Sequence, residues 1–158
     1  MIALGAIRAR PESDPVRAAA GWTSLAAVAQ EETLIVPFEP RFADGVAAVC
    51  RDLGWPSYAD ASVAARGCAA PGVRAFVAVA DGTVIGFAQV LSDGVVQAYL
   101  SLVGVLESWR RQGVARRLVI AAFEASGARR LDLLTDDAFE FYRSFEFKEK
   151  SGFRIYPR

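Results

Sequence analysis

Between Val73 and Leu91 the chain runs in two apolar segments, VRAFVAVA and TVIGFAQVL, separated by Asp81–Gly82. Asp-Gly between apolar runs is the strongest short-range hairpin signal, because the tight turn needs residues that tolerate positive φ. A second turn at Ser92–Gly94 leads into VVQAYLSLVGVL, which extends the hairpin into a three-stranded meander. Gly86 and Gly104, inside these strands, mark bulges or close backbone approach. Downstream the period changes. Val114, Leu118, Ala121, Ala122 and Ala125 recur at three- and four-residue spacing, predicting a helix over Arg111–Ser126 with Gly127 at its C′ position.

The same signals punctuate the remainder. TLIVPFEP predicts a strand from Thr33 to Pro40. FADGVAAVCRDLGWP predicts a helix stopped near Gly54 and Pro56, and SYADASVAARGCAAPG a second one, capped by Ser57 or Asp60 and closed by Pro71–Gly72. RRLDLLT is a short strand, DDAFEFYRSF a helix opened by Asp136 and Asp137, and FKEKSGFRIYP a final strand. The order β-α-α-β-β-β-α-β-α-β gives an α/β fold, a mixed sheet with helices on its faces. Residues 1–31 stand apart as an N-terminal extension. There an alanine-rich segment follows the turn-rich Pro11–Pro15, and reads either as a loosely docked helix or as poorly ordered chain. Residues 32–158 form one domain.

Composition narrows the chemistry. At 158 residues, 53% hydrophobic and 23% charged, the chain is globular. Its 18 basic and 18 acidic residues cancel, which removes any whole-protein pull towards nucleic acid or an anionic membrane. There is no histidine, which excludes a histidine base, a Ser-His-Asp triad and nearly every zinc site. Cys50 and Cys68 are too few for a disulfide framework and are not at metal-ligand spacing, so no metal is expected. No apolar run reaches the ~20 residues of a spanning helix, and the first residues do not resemble a signal peptide; the expected location is the cytoplasm.

The stretch WRRQGVARRL, Trp109–Leu118, sets four arginines around one glycine where a helix begins. Cations are unfavourable at that end of the helix dipole, whereas an anion is favoured by the dipole and by the free N–H groups of the first turn. Gly113 allows close approach and Ala115 keeps the next turn clear. A dinucleotide fingerprint would need two more glycines, and a P-loop would need a lysine, which is absent before Lys148. Arg110, Gly113 and Ala115 do satisfy R-x-x-G-x-A. Alone, that describes an ordinary helix start in an arginine-rich chain equally well.

The surroundings separate the two. The motif resembles (Q/R)-x-x-G-x-(G/A), the pyrophosphate-binding signature of the GNAT superfamily of N-acetyltransferases, in which it follows a strand, reads V-x-x-x-x-R and opens the central helix. Here Val105 precedes Arg110 by five. Phe141–Tyr142 stands where the family has an aromatic–tyrosine pair, and the resemblance runs from about Leu34 to Tyr156. It implies a GNAT-type, mostly antiparallel central sheet with helices on both faces, and acetyl-CoA as co-substrate. By the resemblance, the main-chain N–H groups of Arg111, Gln112, Gly113, Val114, Ala115 and Arg116, together with the Arg110 side chain, hold the pyrophosphate. The pantetheine arm lies along the strand at Val103 and Val105.

The implied reaction is acyl transfer to a primary amine by direct attack on the thioester. It requires loss of a proton from an amine of pKa about 10 and stabilisation of a leaving thiolate of pKa about 8.5. Tyr142 matches the family tyrosine that serves the thiolate, although a core tyrosine would pack the same way, and Glu146 replaces the glycine usual before Phe147. No base is assigned: the strand offers Tyr99 and Ser101 but no acid, and Glu107 is a loop charge. Trp55 and Tyr58, in GWPSY, form either an aromatic wall for the acceptor or a plug on the core, with Tyr99 a further acceptor residue. The acceptor is a small-molecule or peptide amine, with no nucleic acid or membrane partner. The family also implies a possible homodimer through the C-terminal strand. The alternative is a non-catalytic acyl-CoA sensor or docking module on the same fold.

Overall fold

The computed structural model describes residues 32–157. The expected extension over residues 1–31 lies outside them. The elements are β1 (Leu34–Pro37), α1 (Ala43–Asp52), α2 (Ala61–Cys68), β2 (Val73–Ala80), β3 (Thr83–Ser92), β4 (Gln97–Val105), α3 (Val114–Ser126), β5 (Arg130–Asp132) and α4 (Phe139–Arg143). One five-stranded sheet has the order β1-β2-β3-β4-β5, antiparallel throughout except for β4–β5. Asp81 and Gly82 both take left-handed backbone, at φ 45° and 74°, as the hairpin signal requires.

Consecutive sheet residues serve opposite faces. Val77 and Phe87 pack with α1 and α2, around Val46, Val49, Cys50 and Ala64. Ala78 and Ala88 pack with α3, around Leu118, Val119 and Ala122. Helices therefore cover both faces of a mostly antiparallel sheet, the architecture read from the sequence. Asp60, not Ser57, caps α2: its carboxylate accepts from the N–H groups of Ser62 and Val63 at 2.8 and 3.0 Å.

Three expectations are corrected. The central helix begins at Val114, since Arg111 and Gly113 adopt left-handed conformations at φ 60° and 77° that no helix can contain. Asp136 and Asp137 do not cap α4; its start is fixed by Thr135, whose Oγ1 accepts from the N–H of Ala138 at 3.0 Å. The final strand does not form. Residues 147–157 have no ladder partner among the described residues, and Phe153 and Ile155 are 88% and 89% exposed. β5 is only three residues long, which leaves little edge for another strand to join.

Candidate functional site

The turn between β4 and α3 is built from two left-handed residues. After a single 3-10 turn over Glu107–Trp109, Arg110 is extended, Arg111 turns left-handed, and Gly113 turns left-handed again as the N-cap of α3. An added Cβ at Gly113 would meet no atom, so glycine is required there for its backbone alone. The first helical hydrogen bond runs from the Arg117 N–H to the Gly113 carbonyl. The main-chain N–H groups of residues 111–116 thus find no acceptor among the described residues. Consecutive free N–H groups at a helix N-terminus form an anion-binding concavity. Beside them lies a cavity of about 360 Å³, lined by Val105, Trp109, Arg111, Gly113, Ala115 and Phe141 among others.

The arginines are arranged differently from the simplest expectation of a phosphate cluster. The Arg110 Nε donates to the Val105 carbonyl at 3.2 Å, folding the side chain back on the end of β4. Arg116 donates to Ser144, and Arg117 reaches the Thr33 carbonyl at 2.8 Å. Arg111 alone of the four has no side-chain partner among the described residues, and it is exposed. Three of the four arginines are ties between segments, each to a neutral carbonyl or hydroxyl oxygen, so their donors are used while these partners bring no counter-charge.

β4 and β5 pair only from Gln97–Arg130 to Tyr99–Asp132. From Leu100 to Val105 the edge of β4 on that side carries no strand among the described residues. The opposite edge is paired with β3 and contains a bulge, since Gln89 faces Leu102 while Val90 faces Leu100, leaving Ser101 extra. Val103, Val105, Val114, Ala115, Phe141 and Tyr142 come together on the α3 face. Tyr142 is half-buried, and its phenol is held above its usual titration range by burial first and by the neighbouring Tyr99 second. The arrangement is an open strand edge leading to a row of N–H donors, with a protonated phenol alongside.

The sequence model of the acetyltransferase (GNAT) domain matches residues 71–149, half of the chain. The chain belongs to the GNAT acetyltransferase family. Among solved structures, the chain resembles the aminoglycoside N-acetyltransferase AAC(6′)-Iy bound to the bisubstrate analogue CoA-S-monomethyl-acetylneamine, at TM-score 0.67 and 22% identity over 80% of this chain and 98% of that one. A GNAT-family acetyltransferase of Streptococcus pneumoniae TIGR4 gives 0.66 and 20% over 80% and 99%. A Trypanosoma brucei acetyltransferase gives 0.65 and 16% over 80% and 100%. At these identities the likeness is one of fold. No curated protein matches the sequence.

On the other face of this GNAT sheet, the loop between α1 and α2 carries Trp55 and Tyr58. Trp55 packs on β4 where Gly104 leaves space: an added Cβ there would lie 2.5 Å from the Leu53 Cδ1 and 3.0 Å from the indole. Its ring meets Phe87 edge-on at 6.5 Å. The Tyr58 hydroxyl accepts from the Nε2 of Gln89 at 2.9 Å, and the same nitrogen donates to the Gly67 carbonyl at 3.0 Å. Gln89 is buried, a lone polar residue within VIGFAQVL, and that isolation was its signal in the sequence. Tyr99 lies near Tyr142 and near Arg154, whose guanidinium is raised by hydrogen bonding to Tyr156 first and helped by Tyr99. Ser144, missed in the sequence, lines the cavity beside Arg116. Glu107 is an exposed loop charge, as expected.

Proposed function

We infer that this GNAT domain transfers an acetyl group from acetyl-CoA to a primary amine by direct attack on the thioester. The observation that carries the reading is the run of six N–H groups over residues 111–116 that have no acceptor among the described residues, set at the end of a strand edge that no described strand covers from Leu100 to Val105. Those donors fit a pyrophosphate, and the open edge fits an extended amide-bearing arm, which would add to β4 near Val103 and Val105 as a strand does. When bound, acetyl-CoA supplies the thioester carbonyl that the amine attacks and the thiolate that leaves.

The protein's own part is positional and protic. Arg111 adds a cation beside the N–H row, and Arg110 fixes the strand end from which that row departs. Tyr142 holds a proton at Oη, because burial keeps the phenol neutral beyond the usual range, and on this reading it hands that proton to sulfur. β4 contains no carboxylate, and no side chain is assigned to take the amine's proton. That same absence favours the second reading, a module that holds acyl-CoA without turning it over. The acceptor approaches from the side of Tyr99, next to the phenol of Tyr142; Trp55 and Tyr58 are occupied with Gly104, Phe87 and Gln89 on the other face.

Thermal unfolding with acetyl-CoA, CoA, ATP and NADH is the test of the cofactor. A ligand at about 100 times its Kd adds roughly 2.7 kcal/mol, so CoA species alone should raise Tm by several degrees. No shift with either CoA species would remove the proposal. Release of free thiol with an amine panel then separates the enzyme from the module, which would show the Tm shift and no thiol.

A further inference from the structure

We propose that Arg116 is a positioning residue: through the end of α4 it fixes where Tyr142 stands. The inference rests on the reading of Tyr142 as proton donor, and it explains how so small a helix keeps one place. α4 has five residues, well below the length that holds a helix together in water, and none of them is fully buried. Its main-chain hydrogen bonds are all local: the N–H groups of Tyr142, Ser144 and Phe145 reach the carbonyls of Ala138, Phe141 and Tyr142. The ion pairs of Arg143, with Glu140 and Glu149, are local too.

Arg116 is different. From the first turn of α3 its Nη1 donates to both the carbonyl and the Oγ of Ser144, at 3.1 Å each. Among the described residues these are the only side-chain hydrogen bonds that join residues 138–146 to another element. The guanidinium carbon also lies 4.3 Å from the centre of the Phe145 ring, a cation–π contact. The tie is passed inward by two routes. The Ser144 hydroxyl donates to the Phe141 carbonyl at 2.6 Å, and Phe145 meets Phe141 edge-on at 5.4 Å, which in turn meets Tyr142 at 4.9 Å.

One residue therefore faces two ways. The main-chain N–H of Arg116 belongs to the N–H row at the loop, while its side chain is committed to the helix that carries the phenol. A misplacement of about 1 Å at a reacting group can cost a hundredfold in rate, so a tie of this kind bears on turnover more than on affinity.

The test compares Arg116→Ala, Arg116→Lys and Ser144→Ala in the full chain, the last leaving the loop untouched. The direct readout is titration of Tyr142, followed by tyrosine absorbance and isolated by subtracting the same variants made with Tyr142→Phe. Arg116→Ala should bring that titration down towards an ordinary phenol, speed amide exchange over residues 139–145, and lower kcat about tenfold with the Kd of CoA changed less than that. Arg116→Lys should restore part of the loss, and Ser144→Ala should shift the titration the same way but less. An unmoved titration and unmoved exchange in Arg116→Ala overturn the proposal. So does a large loss of CoA affinity with the titration unchanged, which would assign the guanidinium to the phosphates. If Arg116→Ala frees the phenol while Tyr142→Phe turns over normally, the tie stands and the proton-donor reading fails.

Discussion

The two segments that flank β4 are held in opposite ways. On one face the Trp55–Tyr58 loop is seated by shape: Gly104 receives the indole, Gly67 leaves room for the Tyr58 ring, and the buried Gln89 bonds to both the phenol and the Gly67 carbonyl. On the other face α4 has no fully buried residue and a single arginine as its outside polar tie, and the chain beyond it runs exposed. Both lie beside a strand whose free edge is the centre of the site. A seated segment should report damage as lost stability, and a lightly tied one as lost activity before stability.

The largest stability effect is expected on the seated side. In Gly104→Val the new side chain collides with Leu53 and Trp55, and overpacking of this kind costs about 3 kcal/mol, read as a lower denaturant midpoint at unchanged slope. An unchanged midpoint would mean that the loop is not seated at all. The matching change on the lightly tied side is Tyr142→Phe. The phenol makes no side-chain hydrogen bond among the described residues, so stability should move by less than about 0.5 kcal/mol, while kcat falls by about a hundredfold and CoA affinity holds. A variant that turns over normally but unfolds early would invert the comparison. Smaller than the Gly104 effect, Gln89→Leu leaves the Tyr58 hydroxyl and the Gly67 carbonyl without their donor, a loss of about 2 kcal/mol that differential scanning calorimetry would resolve.

Much of this was legible in the residues, and the failures share a cause. Asp81–Gly82, Asp60 and Gly127 act locally, so their turn and caps are where the sequence placed them. R-x-x-G-x-A marked the loop, but helical period carried the predicted helix back to Arg111, because nothing in the pattern reveals a left-handed arginine. The arginines looked like a single charge cluster, yet their partners, Thr33, Val105 and Ser144, are main-chain or small polar groups without a signature of their own. FKEKSGFRIYP ends in apolar and aromatic residues that suit a strand, and such residues state only that a segment fits an edge, not that an edge of adequate length exists. β5, at three residues, offers none.

The alkaline side of the stability curve tests both regions at once. Burial raises Cys50 to about 11 and Cys68 to about 12, from 9.0, and both thiols stand on the seated face. Folded values above the unfolded ones favour the neutral thiol in the native state. Their contribution is complete below about pH 9 and is lost as pH rises towards 11 to 12. The denaturant midpoint should be flat near neutrality and fall above pH 9, and Cys50→Ala with Cys68→Ala should flatten that fall. An equal fall in the double variant would move its origin elsewhere, Tyr142 being the raised group on the opposite face.

The smallest effect is reserved for the tail. Phe153, Ile155 and Tyr156 are 88%, 89% and 73% exposed, so ending the chain after Gly152 removes little buried surface. Stability should stay within about 0.5 kcal/mol of the full chain, in contrast to the Gly104 variant. Solution mass gives the same truncation a second use, because three large apolar side chains in four residues are also what a partner copy would cover. If the full chain is a dimer and the shortened one a monomer, the tail is an interface, and its failure to join β5 is the consequence of being suited to another molecule's surface. Equal monomer masses would end the homodimer expectation, leaving a strand-suited segment with no edge to join.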